Sequence, residues 1–211
     1  MPLAETFSAI YREKGWGDNG NRFYSGSGSS GPTAEEYCNF AIDFIKEHDI
    51  QSVADLGCGD FAIGRQIVSA TGVRYTGIDV VPELIEHHRA QTSDAMVTFL
   101  CANIAADPLP KADLYLVRQV LQHLANDEIA RVLGNLGNCG KALISEHVPV
   151  APKSFNLDKP HGPDIRVFYG SGVYIDKPPF SIPVTETWEW PIEGDALLRT
   201  CLVDRSALPA R

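Results

Sequence analysis

In "VADLGCGDFAIG", Val53 to Gly64, an apolar run leads into an acid, two glycines follow around a cysteine, and a second acid precedes an aromatic residue. Gly57, Gly59 and Ala62 satisfy the loose G-x-G-x-x-G/A pattern, so a dinucleotide is one ligand to weigh. Asp55 and Asp60 flank that turn, and a pyrophosphate placed between two carboxylates loses the advantage that a helix amino terminus gives an anion. A cationic ligand fits better. About twenty residues on, "YTGIDV" ends an apolar run in Asp79, where a carboxylate can accept hydrogen bonds from adenosine ribose hydroxyls while Val80 covers the adenine.

S-adenosylmethionine carries an ammonium and a sulfonium. Asp55 would hold the ammonium directly or through water, and the glycines would let the backbone approach the cofactor. A nicotinamide dinucleotide shares Asp79 and the glycine turn, so an oxidoreductase remains the rival enzyme. A non-catalytic cofactor-binding protein remains the rival of another class.

The surrounding pattern supplies a scaffold. Residues from about Ala4 to Lys14 predict a short amphipathic helix, and the Gly-, Ser- and Asn-rich stretch after it a loop. "TAEEYCNFAIDFIKEHDI" opens on a cap-like Thr33 and two acids, then spaces Tyr37, Phe40, Ile42, Phe44 and Ile45 as a helix does. "SVADL", "VRYTGIDV", "MVTFLCA", "ADLYLVRQ" and "KALISEHV" read as strands, alternating with the helical "FAIGRQIVSAT", "PELIEHHRAQ" and "NDEIARVLGNLGN". Such alternation implies a parallel, doubly wound α/β sheet with its ligand beyond the carboxyl ends of the strands. After Val148 comes a Pro-rich stretch, then "VTETWEW" and "ALLRTCLVD", which predict a closing antiparallel hairpin.

From about Gln51 to Glu146, "VADLGCGDF", "GIDVVPELI" and "FLCANIAADPLPKADLYLVRQVLQHL" together resemble the class I S-adenosylmethionine-dependent methyltransferases. The resemblance implies a Rossmann-like, seven-stranded sheet with an antiparallel last strand, preceded here by an N-terminal helix and a lid loop. It places Asn103 and Ile104 where the adenine edge is read, and Arg118 with Gln119 where the fourth strand faces the methionine end. Over nearly the whole chain, "FSAIYREKGWG", "SGSGSS", "VLQHL" and "KPPF" extend the likeness to bacterial methyltransferases encoded with polysaccharide or secondary-metabolite enzymes. On this reading residues 1–211 form a single methyltransferase domain. Its parts are an N-terminal helix and loop (1–33), a cofactor-binding core (34–148), and substrate-side loops with the terminal hairpin (149–211).

Other residues carry two readings. Trp16 and Ser25 to Ser30 are either a tether or, by the resemblance, a loop folded over the cofactor. His123 and His147 stand near the carboxyl ends of strands, where either could take a proton from the acceptor or simply complete a core. Glu146 shares the position of His147. Glu146, His147, His161 and Asp164 match no metal spacing, and solvated loop residues are the preferred reading. Lys177 to Phe180 read as a proline-stiffened turn, and Trp188 with Trp190 as one face of a strand turned to a core or interface.

A formal net charge of −9 with scattered Lys and Arg disfavours nucleic acid and anionic membranes as partners. The five cysteines form no paired motif and suit reduced thiols in a cytoplasm. No stretch approaches the roughly 20 apolar residues of a membrane span. The expected activity is in-line methyl transfer to an oxygen or nitrogen of a small acceptor such as a sugar or natural-product intermediate. The terminal hairpin is a candidate homodimer surface.

Overall fold

The computed structural model describes residues 1–204. Seven strands form one mixed sheet in the order β3-β2-β1-β4-β5-β7-β6, with helices in the crossovers: a Rossmann-like α/β fold. The chain makes two compact units, Met1–Asp107 and the part from Pro108 onward, a division that falls inside the 34–148 span.

In the first unit, α1 (Leu3–Arg12) buries Phe7, Ile10 and Tyr11, one face of an amphipathic helix. α2 (Pro32–Glu47) buries Ala34, Tyr37, Cys38, Ala41, Phe44 and Ile45 along a similar stripe. Thr33 does not cap it. Gly31 is the N-cap at φ 81°, and Pro32 takes the first helical position, where its missing N–H leaves nothing unsatisfied. β1 (Ser52–Leu56), β2 (Arg74–Asp79) and β3 (Val97–Cys101) pair in parallel, with α3 (Ala62–Thr71) and α4 (Pro82–Gln91) as crossovers.

In the second unit, β4 (Ala112–Arg118) and β5 (Cys139–Pro149) are parallel, joined through α5 (Asn126–Gly134). α5 stops at Gly134, short of the predicted end, and Leu136–Asn138 form a separate 3-10 turn. β6 (Glu186–Ile192) and β7 (Ala196–Asp204) form the terminal hairpin, with β7 antiparallel to both β5 and β6. Trp188 and Trp190 lie opposite Thr200 and Leu198 on one face, half-buried.

Asn156, buried, organises the long β5–β6 connection. Its Nδ2 donates to the carbonyls of Tyr174 and Pro178, and its Oδ1 accepts from the Tyr174 N–H. Within that connection, Lys177 to Phe180 form a turn in which the Phe180 N–H donates to the Lys177 carbonyl. None of the five cysteines is in a disulfide. Among the described residues, no helix is long and apolar enough to cross a membrane.

Candidate active site

The glycine turn of the first unit is held from three sides. Gly59 adopts φ 51°, and a Cβ there would run into Ser25 Oγ. Its N–H donates to Asp79 Oδ2 at 3.2 Å, and its carbonyl lies 2.7 Å from His88 Nε2. A carbonyl only accepts, so His88 carries its proton on Nε2. Burial lowers the His88 pKa, in keeping with a neutral imidazole stacked on Phe99 and edge-on to Phe61.

Asp79 is buried, and loss of water raises its pKa to about 6 even though backbone N–H groups pull it back down. Its Oδ1 accepts from the Val81 N–H at 3.1 Å. A carboxylate offers about four acceptor sites, so beside the N–H groups of Gly59, Val81 and Val80 it retains capacity for a further donor. Val80, half-buried, is next to it. Asp55, at the register position of Gly77 on the neighbouring strand, accepts from the Tyr75 hydroxyl at 2.5 Å. Gly64 makes this possible, since a Cβ in α3 would collide with the Tyr75 ring and hydroxyl. Cys58 lies in the same turn, where burial and then the charges of Asp79 and Asp55 push its thiol well up, leaving it protonated.

Asp60 is not a second ligand-facing acid. Its Oδ2 accepts from the Ser25 N–H and the Ser29 hydroxyl, and its Oδ1 from the Ala62 N–H at the start of α3. Ser25 Oγ in turn takes the Asp60 N–H at 2.8 Å and meets the Tyr11 hydroxyl at 2.8 Å. The Ser25–Ser29 stretch is therefore fastened to the glycine turn. Trp16 packs on Phe7 and Tyr11, and Phe23 on Tyr11 and His87.

Asn103 holds its own turn. Its Oδ1 accepts from the Ala105 N–H and its own N–H donates to Asp107, so the side-chain oxygen serves the turn after β3. Ile104 is buried beside it.

In the second unit, Arg118 ends β4 opposite Ser145, and Gln119 follows in a left-handed conformation at φ 55° with its N–H on the Ser145 carbonyl. The 3-10 turn Leu121–His123 is clamped at both ends by buried charge. Glu146, 2% exposed, accepts the N–H groups of Val120, Leu121 and Gln122. Arg166, 1% exposed, donates to the carbonyls of Leu121, Gln122, Leu124 and Leu157 and to Asn126 Oδ1. Five bonds match the five donors of a guanidinium. Burial raises the Glu146 pKa to about 7, against the pull of these N–H groups and of Arg166. The equal standing given to Glu146 and His147 is thus corrected, because the Glu146 carboxylate is occupied by its own turn.

His123 Nδ1 lies 3.2 Å from the Gly162 carbonyl and so bears the proton. Burial, with Lys159 and Arg166 adding to it, lowers its pKa to about 4. His147 sits opposite Leu198, and its buried Nε2 has no hydrogen-bond partner among the described residues. Burial lowers its pKa as well. His161 pairs with Glu128 at 2.8 Å, while Glu128 also caps α5 through the Ala125 N–H. Among the described residues, no cluster of His, Cys, Asp and Glu is placed to hold a metal.

Arg166, His88 and Tyr75 escaped sequence reasoning. Only His88 left a trace, since it continues the Leu84 and Ile85 stripe of α4.

A family model described as a methyltransferase domain matches residues 53–141, from β1 and the glycine turn into β5. Over those residues the chain is similar to methyltransferases. Human acetylserotonin O-methyltransferase is 28% identical to this chain over 141 residues, which cover 63% of this chain and 38% of that relative. The chain therefore matches well under half the length of this curated relative. Among solved structures, the N-methyltransferase NodS from Bradyrhizobium japonicum with S-adenosylhomocysteine superposes with a TM-score of 0.64 at 13% identity, covering 93% of this chain and 97% of that one. Burkholderia thailandensis 1,6-didemethyltoxoflavin-N1-methyltransferase gives 0.61 at 15%, covering 95% and 86%. At these identities the two structures speak for the fold of this chain. The family match, made of methyltransferases, leaves the nicotinamide reading of its glycine turn without support.

Proposed function

We propose that the protein transfers the methyl group of S-adenosylmethionine to an oxygen or nitrogen of a small-molecule acceptor, a sugar or natural-product intermediate being the class in view. The observation that carries this is Asp79, a buried carboxylate whose oxygens accept only backbone N–H groups and keep room for ribose hydroxyls. When bound, the cofactor supplies a methyl group already activated on a sulfonium.

Asp55 takes the ammonium, and Gly57 and Gly59 give the backbone its close approach. Val80 and Ile104 cover the adenine, with the Asn103 turn at its edge. Arg118 keeps the assignment to the methionine end, and Trp16 with the fastened serine loop shelters the site. Most of the rate comes from holding the acceptor in line. His147 and His123 are the candidates to take the acceptor's proton, which is worth about 10²–10⁴-fold for a hydroxyl. His123, at about 4, is a weak base at neutral pH. The relatives' names, acetylserotonin and 1,6-didemethyltoxoflavin among their substrates, support a small acceptor. The unbridged cysteines fit the cytoplasm, and the terminal hairpin is the surface we assign to a second copy.

The test is calorimetric titration with S-adenosylmethionine, S-adenosylhomocysteine and NAD. Both sulfur compounds should bind and NAD should not. Asp55→Asn keeps an acceptor for Tyr75 but removes the charge, and should weaken S-adenosylmethionine on the order of 30-fold. Binding of NAD alone, or of nothing, would overturn the reading.

A further inference from the structure

Tyr75, in β2 of the first unit, is a buried polar side chain with no part in the methyl-transfer reading. It is 1% exposed, and its hydroxyl donates to Asp55 Oδ2 at 2.5 Å. Its register partner on β1 is Val53, and that of Asp55 is Gly77. Paired residues of parallel strands point to the same side, so Tyr75 stands one step back from Asp55 on a shared face. Gly77, directly opposite the acid, has no side chain to compete for it, and a Cβ there would strike Phe99 and Cys58. From the other side Gly64 makes way for the hydroxyl, although a glycine is disfavoured within a helix.

Burial and then the charge of Asp55 push the Tyr75 hydroxyl well up, with Cys58 and Tyr37 adding to the effect. It therefore stays protonated and donates. Tyr115 and Tyr174 give their hydroxyls to backbone carbonyls, those of Pro110 and Pro149. Tyr75 instead engages an ionisable side chain beside the glycine turn. The terminal torsion of an aspartate is broad, so a donor fixed on one oxygen sets the plane of the carboxylate and the direction of its other oxygen. A neutral hydroxyl does this without cancelling the charge.

We propose that Tyr75 is a positioning residue for the amino-acid end of the cofactor: by holding Oδ2 it aims the Asp55 carboxylate at the cofactor's ammonium. It thereby favours cofactors that carry that ammonium over adenosine derivatives that lack it. The inference rests on the reading that Asp55 takes the ammonium, and adds to it the residue that acts through Asp55.

The probes are S-adenosylhomocysteine and 5′-methylthioadenosine, which share the adenosine and the thioether while only the first carries the amino-acid end. Both are titrated by calorimetry against the wild type, Tyr75→Phe, Asp55→Asn and the double variant. Tyr75→Phe keeps the ring that packs on Phe61. It should weaken S-adenosylhomocysteine about tenfold and shift 5′-methylthioadenosine less than about twofold. A purely structural tyrosine would weaken both alike. The double variant should lose no more than Asp55→Asn alone, because no charge is left to aim. Equal weakening of the two probes by Tyr75→Phe, no weakening of either, or additive losses in the double variant would overturn the inference alone. Asp55→Asn without effect on S-adenosylhomocysteine, or equal binding of the two probes by the wild type, would instead strike the ammonium reading beneath it.

Discussion

Asp79 in the first unit and Glu146 in the second are built alike and serve differently. Both are buried carboxylates near the carboxyl end of a strand, both accept backbone N–H groups of a nearby turn, and burial raises both, to about 6 and about 7. A neutral histidine binds a glycine carbonyl at each place, His88 on Gly59 of the first turn and His123 of the second turn on Gly162 of the β5–β6 connection. The difference lies in what fills the carboxylate. Glu146 accepts three N–H groups and has Arg166 at the far end of the same turn. Asp79 accepts the Gly59 and Val81 N–H groups, with that of Val80 also drawing on it, and among the described residues has no ion-pair partner. A buried acid set against a buried guanidinium is a structural part, whereas one with no such cation and an acceptor site open is a ligand site that costs stability until the ligand arrives.

The largest expected effect comes from breaking the filled member. Glu146→Ala leaves three N–H groups and a buried guanidinium uncompensated, and should cost about 3–5 kcal/mol, a fall of about 10 °C in Tm by scanning calorimetry. A loss under about 1 kcal/mol would remove the contrast with Asp79.

The next largest has the opposite sign. The folded pKa of Asp79, about 6, stands above its ordinary value near 4. Between those values the folded state keeps a proton that the unfolded state has lost, so stability falls as pH rises through the window and the penalty is complete above it. Asp79→Asn should therefore stabilise the ligand-free protein at pH 7 by up to about 3 kcal/mol, with the gain vanishing near pH 4. Its affinity for S-adenosylhomocysteine should drop at the same time. Urea titrations at the two pH values check the sign, and destabilisation at pH 7 would mean that Asp79 is as completely filled as Glu146.

His88→Phe tests the smaller shared feature. The ring stack on Phe99 survives, but the Gly59 carbonyl loses its donor, which should cost about 1–2 kcal/mol in urea unfolding and loosen the cofactor turn.

Much of the scaffold was legible because its signals are local. The apolar runs marked the strands, and Pro82 to Gln91 predicted α4 to the residue, with proline at the first helical position. The candidate cofactor acids Asp55 and Asp79 stood out because each ends an apolar run beside the glycine turn or one strand later. What misled was availability. Asp60 looks like a ligand residue, yet it fastens a serine loop about thirty residues upstream. Glu146 looked equivalent to His147, but successive residues of a strand face opposite sides, and the turn at Val120 to Gln122 claims only one of them. Thr33 lost its cap role to Gly31 because Pro32 had already set the first turn.

By itself the sequence determined the alternation of strands and helices, the placement of Asp55 and Asp79 around a glycine turn, and through these the chemistry of the cofactor. Those features depend on burial periodicity and on contacts within a few residues. Tertiary structure alone decided which charged groups are occupied: Glu146 by the turn 24 to 26 residues before it, and Arg166 by carbonyls 42 to 45 residues before it. A charge's partners are chosen by folding, since burial makes an unsatisfied charge costly and only the folded chain brings distant donors and acceptors within bonding distance.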